Sequence, residues 1–144
     1  MIREIITKDI PQLFAVRVQT KENRITLDEL SELGITEDFL ERELNSNIKG
    51  WLYEEQDKIK GFAMGNKENG EMMVIALLPE IENKGIGGQL LGKVESWLFE
   101  NGWNEIWLTT EIDPQLRAYG FYKHRGWVDS RLQAKSRLMV KRIS

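Results

Sequence analysis

The chain has 144 residues, 41% of them hydrophobic, which is enough for one domain with a sizeable buried core. It contains no cysteine and one histidine, so disulfides, cysteine nucleophiles, thiolate metal sites and multi-histidine metal centres are excluded. The formal charge is −3, and no apolar run reaches the length of a membrane helix. We therefore expect one domain over residues 1–144 in a reducing, cytoplasmic setting, with no metal, no membrane and no nucleic acid as partner.

The first third of the chain is predicted to form one short strand and three helices. Residues 2–6 alternate between apolar and polar side chains, and a helix follows with Pro11 in its first turn. Thr26 and Glu29 have the spacing of a capping box at the start of a second helix. Thr36 is the predicted cap of a third.

The rest of the chain alternates strands with two longer helices. One helix is predicted from the glycine-rich segment to Asn101, and another from Pro114 to about Arg125. This order of elements indicates an α/β sandwich with a mixed sheet. The predicted strands are residues 51–53, 60–64, 72–78, 105–110, 127–132 and 138–140.

A glycine-rich segment follows the most apolar predicted strand. Residues 82–91 read ENKGIGGQLL, and three glycines fall at the start of the predicted helix. Each glycine costs about 0.8–1 kcal/mol in a helix relative to alanine, but it leaves bare N–H groups at the helix N-terminus, which attract anions. A phosphate-bearing ligand is one interpretation of this segment, and an ordinary glycine turn is the other.

Two common phosphate-binding motifs do not fit the segment. The nucleoside triphosphate loop ends in Gly-Lys-Ser/Thr, whereas Gly88 is followed by Gln89. The dinucleotide fingerprint needs a third glycine where Leu90 stands. The segment instead resembles the acyl-CoA-binding motif of the GNAT acetyltransferase superfamily, Q/R-x-x-G-x-G/A after a central strand, with Glu82 in place of the first Gln or Arg.

A second motif strengthens this resemblance. Residues 118–127 read AYGFYKHRGW and are similar to the later GNAT motif A-x-x-F-Y-x-x-x-G-F, with Trp127 as the final aromatic residue. The two motifs occur in the family's order and together cover residues 72–128. The resemblance implies a GNAT-type three-layer α/β sandwich, with a mixed central sheet of about seven strands and flanking helices.

The resemblance also implies acetyl-CoA as co-substrate and a place for it to bind. In the family, the strands before and after the glycine helix splay apart. Pantetheine lies in that gap against backbone groups that the splay leaves unpaired. The glycine turn cradles the pyrophosphate, and an asparagine often stands near the start of the following helix. The residues implied here are Leu77, Leu78, Asn83, Lys84, Gly85, Ile86, Gly87, Gly88 and Gln115, the last at the family's asparagine position.

Acetyl transfer to an amine needs a proton acceptor for the ammonium group and a proton donor for the leaving thiolate. Tyr122 matches the family position of the donor, and a phenol with an ordinary pKa of about 10 is protonated at neutral pH. The alternative is a tyrosine that only packs its ring. Glu111, at the end of a predicted strand, is the candidate acceptor, with a structural carboxylate as the alternative. His124 is expected at the surface, and the five tryptophans in the core and sheet.

The resemblance implies an N-acetyltransferase that acts on a primary amine of a small molecule or a protein. Transfer would be by direct attack in a ternary complex, because no cysteine exists to carry an acyl group. A non-catalytic acyl-CoA-binding regulatory module of the same fold is the alternative from another class. A purely structural partner-binding domain is a third, disfavoured by the glycine cost. The oligomeric state, a homodimer included, stays open.

Charge is distributed unevenly along the chain. Residues 1–57 carry 7 basic and 13 acidic side chains, whereas residues 117–144 carry 8 basic side chains and a single acidic one, Asp129. In GNAT proteins the first helices border the acceptor side of the cleft. If both segments line the cleft, they favour a cationic amine and an anionic cofactor. If they do not, they are solvated outer faces.

Overall fold

One mixed sheet of seven strands runs through the part of the chain that the structure describes, residues 1–21, 25–133 and 136–143. The structure is a computed structural model. The strands are β1 (Ile2–Glu4), β2 (Ile48–Glu55), β3 (Lys58–Asn66), β4 (Glu71–Leu77), β5 (Glu105–Glu111), β6 (Val128–Leu132) and β7 (Ser136–Arg142). Their order across the sheet is β1-β2-β3-β4-β5-β7-β6. The predicted mixed sheet of about seven strands is confirmed.

Five α-helices and two short 3₁₀ turns connect the described strands. The helices are α1 (Ile10–Arg17), α2 (Leu27–Glu32), α3 (Glu37–Glu43), α4 (Ile86–Glu100) and α5 (Arg117–His124), and the 3₁₀ turns are Thr7–Asp9 and Pro79–Ile81. Among the described residues, no helix combines the length and the apolar character needed to cross a membrane.

The sheet consists of two antiparallel parts joined at a single point. β4 and β5 are parallel, and their only register pair is Glu71 with Trp107. In the ladder between β3 and β4, Met64 pairs with Val74 and Gly65 with Met72, so the register passes over the residue between. Such a bulge bends a strand and leaves backbone groups unpaired. Beyond the single pair, β4 and β5 therefore separate, as the family resemblance implies.

Helices cover both faces of the sheet. α4 buries a stripe of apolar side chains against one face, and Leu90, Val94 and Leu98 are fully buried there together with Ile106 of β5. α1 and α3 cover the opposite face, in a separate cluster that includes Leu13. Burial of each such side chain stabilises the fold by about 1.5–3 kcal/mol. The three predicted layers are thus present, with the sheet in the middle.

The N-terminal helices begin where the sequence predicts. The Thr26 hydroxyl accepts a hydrogen bond from the Glu29 N–H at 3.1 Å, and the Glu29 carboxylate accepts one from the Thr26 N–H at 3.0 Å. Thr36 caps α3 by accepting from the Phe39 N–H at 3.2 Å. These contacts satisfy donors that a helix leaves unpaired at its first turn.

Two predicted boundaries near the C-terminus are wrong. α5 begins at Arg117 rather than at Pro114, because the Asp113 carboxylate accepts from the Gln115 N–H at 2.9 Å and closes a turn instead. Trp127 lies just before β6 and is buried, whereas every residue of β6 is exposed. The observed strand therefore starts one residue later than predicted, and it forms an edge of the sheet.

Candidate functional site

A cavity of about 900 Å³ lies where β4 and β5 separate. One end is lined by residues from α1 to Ile35, which we call the acceptor side. The other end, which we call the cofactor side, is formed by the end of β4, the loop before α4, the first turn of α4, and α5. Its lining residues are Leu77, Glu82, Asn83, Gly85, Gly87, Gly88, Arg117, Ala118, Phe121, Tyr122 and Arg125.

Gly85 presents bare backbone to the cavity. It is the N-cap of α4, its φ of +80° lies in the left-handed region, and a Cβ at this position would meet no atom within 4 Å. Glycine adopts this conformation without steric cost. No side chain caps the first turn of α4, so its N–H groups stay available to a ligand. This end of the cavity fits an anionic group such as a phosphate.

The next two glycines allow α5 to approach α4. A Cβ at Gly87 would lie 3.1 Å from Leu77 Cδ1 and 3.5 Å from the Phe121 ring. A Cβ at Gly88 would overlap the guanidinium of Arg125. The glycine-rich start of α4 therefore serves packing between two helices as well as access to the backbone. The sequence alone indicated only the second reason.

Glu82, the departure from the family motif, has a partner. Its side chain is only 14% exposed, and Arg117 of α5 pairs with its carboxylate at 3.0 Å. The same guanidinium donates to the Asn83 Oδ1 at 2.9 Å. A carboxylate at the mouth of a phosphate site would repel the ligand, but here a cation from α5 offsets it. The ion pair also ties the loop before α4 to the helix that carries Tyr122.

Tyr122 lies on α5 and is 6% exposed. Its ring makes edge contacts with Phe121 and Trp127, with centroid distances of 5.4 and 6.1 Å. Burial raises the pKa of the Tyr122 phenol well above its ordinary value, because the phenolate would lose its hydration. Within the described residues the hydroxyl has no hydrogen-bond partner. The cavity is therefore lined by a phenol that holds its proton at neutral pH.

A partly buried network of hydrogen bonds fixes the end of α5. Trp127 donates through Nε1 to the Glu95 carboxylate of α4 at 2.8 Å, and Lys141 of β7 donates to the same carboxylate at 2.9 Å. The Lys141 ammonium also donates to the Arg125 carbonyl at 2.8 Å. These contacts hold α5 against α4 and the sheet. The orientation of Tyr122 therefore depends on three separate elements.

Glu71 is a cavity residue that the sequence reasoning missed. It is the first residue of β4, belongs to the single register pair between β4 and β5, and is half-buried. Burial raises the pKa of Glu71 above its ordinary value, and a hydrogen bond with Asn69 offsets this only in part. The available signal was an acidic residue directly after a turn at Gly70 and directly before the apolar run.

Glu111, the carboxylate chosen from the sequence, occupies a different place. It is the last residue of β5 and is not among the residues that line the cavity. Its charge acts on Arg17, which does line the acceptor side. Burial lowers the pKa of Arg17, and the negative charge of Glu111 opposes that change. Glu111 as the proton acceptor stays a prediction.

The other predicted residues divide into two groups. Those that line the cavity are Leu77, Asn83, Gly85, Gly87, Gly88 and Tyr122. Those that lie outside its lining are Leu78, Lys84, Ile86 and Gln115. The Ile86 side chain is buried in the core, and those of Lys84 and Gln115 are exposed, so a role for Lys84 and Ile86 would fall to their backbone. As expected, His124 is exposed, and no tryptophan lines the cavity.

Of the two interpretations of the acidic N-terminal segment, the structure favours solvated outer faces over an acidic acceptor side. Arg17 and Lys21 line that side, and none of the described acidic residues between 1 and 57 does. The carboxylates of α2 and most of those of α3 lie on outward faces, where water solvates them. The basic C-terminal segment, by contrast, contributes Arg117 and Arg125 to the lining of the cofactor side.

Comparison with solved structures identifies the same architecture. The PaiA N-acetyltransferase from Thermoplasma acidophilum, in complex with coenzyme A, superimposes with a TM-score of 0.84 at 19% identity, over 99% of this chain and 98% of that one. A GNAT-family acetyltransferase from Staphylococcus aureus Mu50 gives 0.80 at 21% identity, over 100% and 99%. The ribosomal-protein-S18-alanine N-acetyltransferase from Escherichia coli gives 0.75 at 17% identity, over 100% and 94%. At these identities the likeness establishes the fold alone.

Sequence comparison establishes the family. Comparison with curated proteins finds no significant match. The sequence model of the acetyltransferase (GNAT) family, however, matches residues 13–127, which is most of the chain and includes both motifs and the whole cofactor side. The chain belongs to the GNAT family of acetyltransferases.

Proposed function

We propose that the chain is an N-acetyltransferase that moves the acetyl group of acetyl-CoA to a primary amine by direct attack in a ternary complex. The observation that carries this proposal is Tyr122, a protonated phenol in the same cavity as the bare backbone of Gly85. Coenzyme A bound to the Thermoplasma acidophilum protein of similar fold supports the same ligand here.

Acetyl-CoA supplies an acetyl thioester when it is bound. We assign the backbone from residue 83 to residue 88 to its pyrophosphate, because the first turn of α4 has free N–H groups there. We assign the backbone of Leu77 and Leu78 to its pantetheine amides, because β4 has no register partner in β5 beyond Glu71. Gln115, exposed just before α5, is retained as a predicted contact.

Tyr122 is the proposed general acid. The leaving sulfur must gain a proton, and a phenol whose pKa is raised by burial still holds its proton at neutral pH. The hydroxyl has no competing partner among the described residues, so its proton is available to the cavity. The network around Trp127 and Glu95 holds the helix that carries it.

Glu71 is the proposed general base. The amine must lose a proton before it can attack, and a carboxylate with a raised pKa is a better proton acceptor than an ordinary one. Glu71 lines the cavity at the point where β4 and β5 begin to separate. Glu111, beside Arg17, is the second candidate and would act through water.

The test is a two-stage measurement. Calorimetry first establishes whether coenzyme A binds, and mass spectrometry then detects acetylated products after incubation with acetyl-CoA and a panel of amines. The panel contains polyamines, amino acids, aminoglycosides and peptides with free N-termini. Acetylation that depends on an amine supports the proposal. Coenzyme A binding without any acetylated product across the panel would favour the non-catalytic binding module instead.

A further inference from the structure

Arg125 lies against the first turn of α4. It directly follows α5, and its guanidinium fills the space that Gly88 leaves by having no side chain. The same guanidinium lies over the Phe121 ring, with 4.9 Å between Cζ and the ring centroid. Arg125 also lines the cavity. Stacking on one side and glycine on the other hold this cation beside the N–H groups of α4.

The electrostatic environment of Arg125 lacks an anion. Its side chain makes no hydrogen bond or ion pair with any described residue, and its Nε is buried without a partner. A helix N-terminus carries about half a positive charge, so a cation placed beside it is unfavourable. A buried donor without a partner is unfavourable as well. An anion bound between Arg125 and the start of α4 would remove both costs.

Two other arginines of this region, unlike Arg125, have carboxylate partners. Arg117, at the start of α5, pairs with Glu82. Arg137, whose Nε is also buried without a partner, still pairs through Nη1 with Asp129 at 3.0 Å. Among these three guanidinium groups, Arg125 is the one whose charge no described carboxylate offsets.

We infer that Arg125 binds the pyrophosphate of coenzyme A together with the first turn of α4. This inference rests on the proposed function, because it concerns the same ligand. It also gives Gly88 a specific role, which is to let the guanidinium reach the helix terminus. A planar guanidinium suits a phosphate because it can donate two parallel hydrogen bonds.

Calorimetry with two ligands tests the inference. Arg125→Gln should weaken binding of coenzyme A and of 3′-dephospho-coenzyme A equally, by about 10- to 100-fold, the value of a hydrogen bond to a charged group. Lys123→Gln removes an exposed charge from the same helix and should change neither affinity. Unchanged affinity in Arg125→Gln, or a loss confined to coenzyme A, would overturn the pyrophosphate assignment.

A second pair of variants separates binding from folding. Gly88→Ala forces the guanidinium away from α4 and should reproduce most of the loss, whereas Gly92→Ala, in open space on the same helix, should not. In the Arg125→Gln background, Gly88→Ala should lower coenzyme A affinity clearly less than it does in the wild type, because both changes remove the same contact. Full additivity of the two losses would contradict the inference.

Thermal unfolding without ligand distinguishes this role from a structural one. Because the ligand-free protein holds a cation at the positive end of α4, Arg125→Gln should leave its midpoint unchanged or raise it. A lowered midpoint in the ligand-free variant, with an unchanged response to ligand, would make Arg125 a structural residue.

If the wild-type protein binds no coenzyme A at all, the proposed function fails. If the wild type binds and Arg125→Gln binds equally, only the inference fails.

Discussion

The cofactor side and the acceptor side of the cavity are built in different ways. On the cofactor side, Arg117 pairs with Glu82, and a ring of α5 packs on Gly87, so two helices and a loop fix one another. On the acceptor side the lining is mostly apolar, and Leu33 is 68% exposed. The first arrangement depends on backbone conformation and helix contacts. The second depends on individual side chains.

This difference explains what each side can be expected to do. A site made of backbone N–H groups and closely packed glycines fits one kind of ligand and tolerates few substitutions. A site made of side chains from short helices can change its ligand by changing those side chains. Under the proposed function, we therefore expect the cofactor side to bind the acetyl donor and the described lining residues from Leu13 to Ile35 to select the amine.

The largest expected effect is on the proton donor at the cofactor side. Tyr122→Phe should lower kcat by about 10²- to 10⁴-fold, the usual range for general acid catalysis, while the affinity for acetyl-CoA stays nearly unchanged. Steady-state kinetics with an identified amine, together with calorimetry, measure the two quantities. Tyr119→Phe, on the same helix, is the matched control and should retain most activity. Wild-type turnover in Tyr122→Phe would mean that Tyr122 only packs its ring and does not donate a proton.

The next prediction concerns the proton acceptor, for which Glu71 lines the cavity and Glu111 lies outside its lining. Glu71→Gln should lower kcat/KM by about 10²- to 10⁴-fold at neutral pH, and Glu111→Gln by much less. In the wild type, the rate should fall as pH drops through the raised pKa of Glu71, because the base is then protonated. Glu71→Gln should lose this acid limb. If Glu111→Gln abolishes the acid limb instead, the sequence-based choice is the right one.

The next effect concerns the bare backbone of the cofactor side. Gly85→Asp places a carboxylate in open space at the N-cap of α4, where it competes with phosphate for the same N–H groups. Coenzyme A affinity should fall by more than about 100-fold, because like charges at one site cost several kcal/mol. Gly85→Asn tolerates the same backbone conformation without the charge and should lose far less affinity. Equal losses in both variants would mean that strain, not charge, is responsible.

The sequence predicts the cofactor side of the cavity better than the acceptor side. The strand order, the glycine turn and the place of Tyr122 in the cavity lining follow from local patterns and two motifs, whereas the starts of α5 and β6 do not. Glu71 was missed because its pKa shift arises from burial, which a sequence does not display. The partner of Glu82 was missed because Arg117 is distant in sequence. The acidic total of the N-terminal region could not decide between cleft and outer face, because a sum of charges does not tell which way each side chain points.

The smallest expected effect concerns the acceptor side. Because Arg17 and Lys21 line it, polycationic amines should gain little over neutral amines when the salt concentration is lowered. Steering by an acidic cleft would raise kcat/KM at low salt by about tenfold or more. Rate measurements with paired amines at low and high ionic strength decide the matter. Glu32→Gln, an exposed change on α2, should leave these rates unaltered. A salt-sensitive preference for polycations would restore the acidic-cleft hypothesis.

We propose that the phosphates of coenzyme A lie on the first turn of α4, beside Arg125. Nuclear magnetic resonance of isotope-labelled protein tests it directly, because backbone amides and the Arg125 Nε–H report ligand contact residue by residue. On addition of coenzyme A, the largest shift changes should occur at Gly85, Gly87, Gly88 and the Arg125 Nε–H. Changes concentrated in α1 or between β1 and β2, with the start of α4 unmoved, would contradict the account.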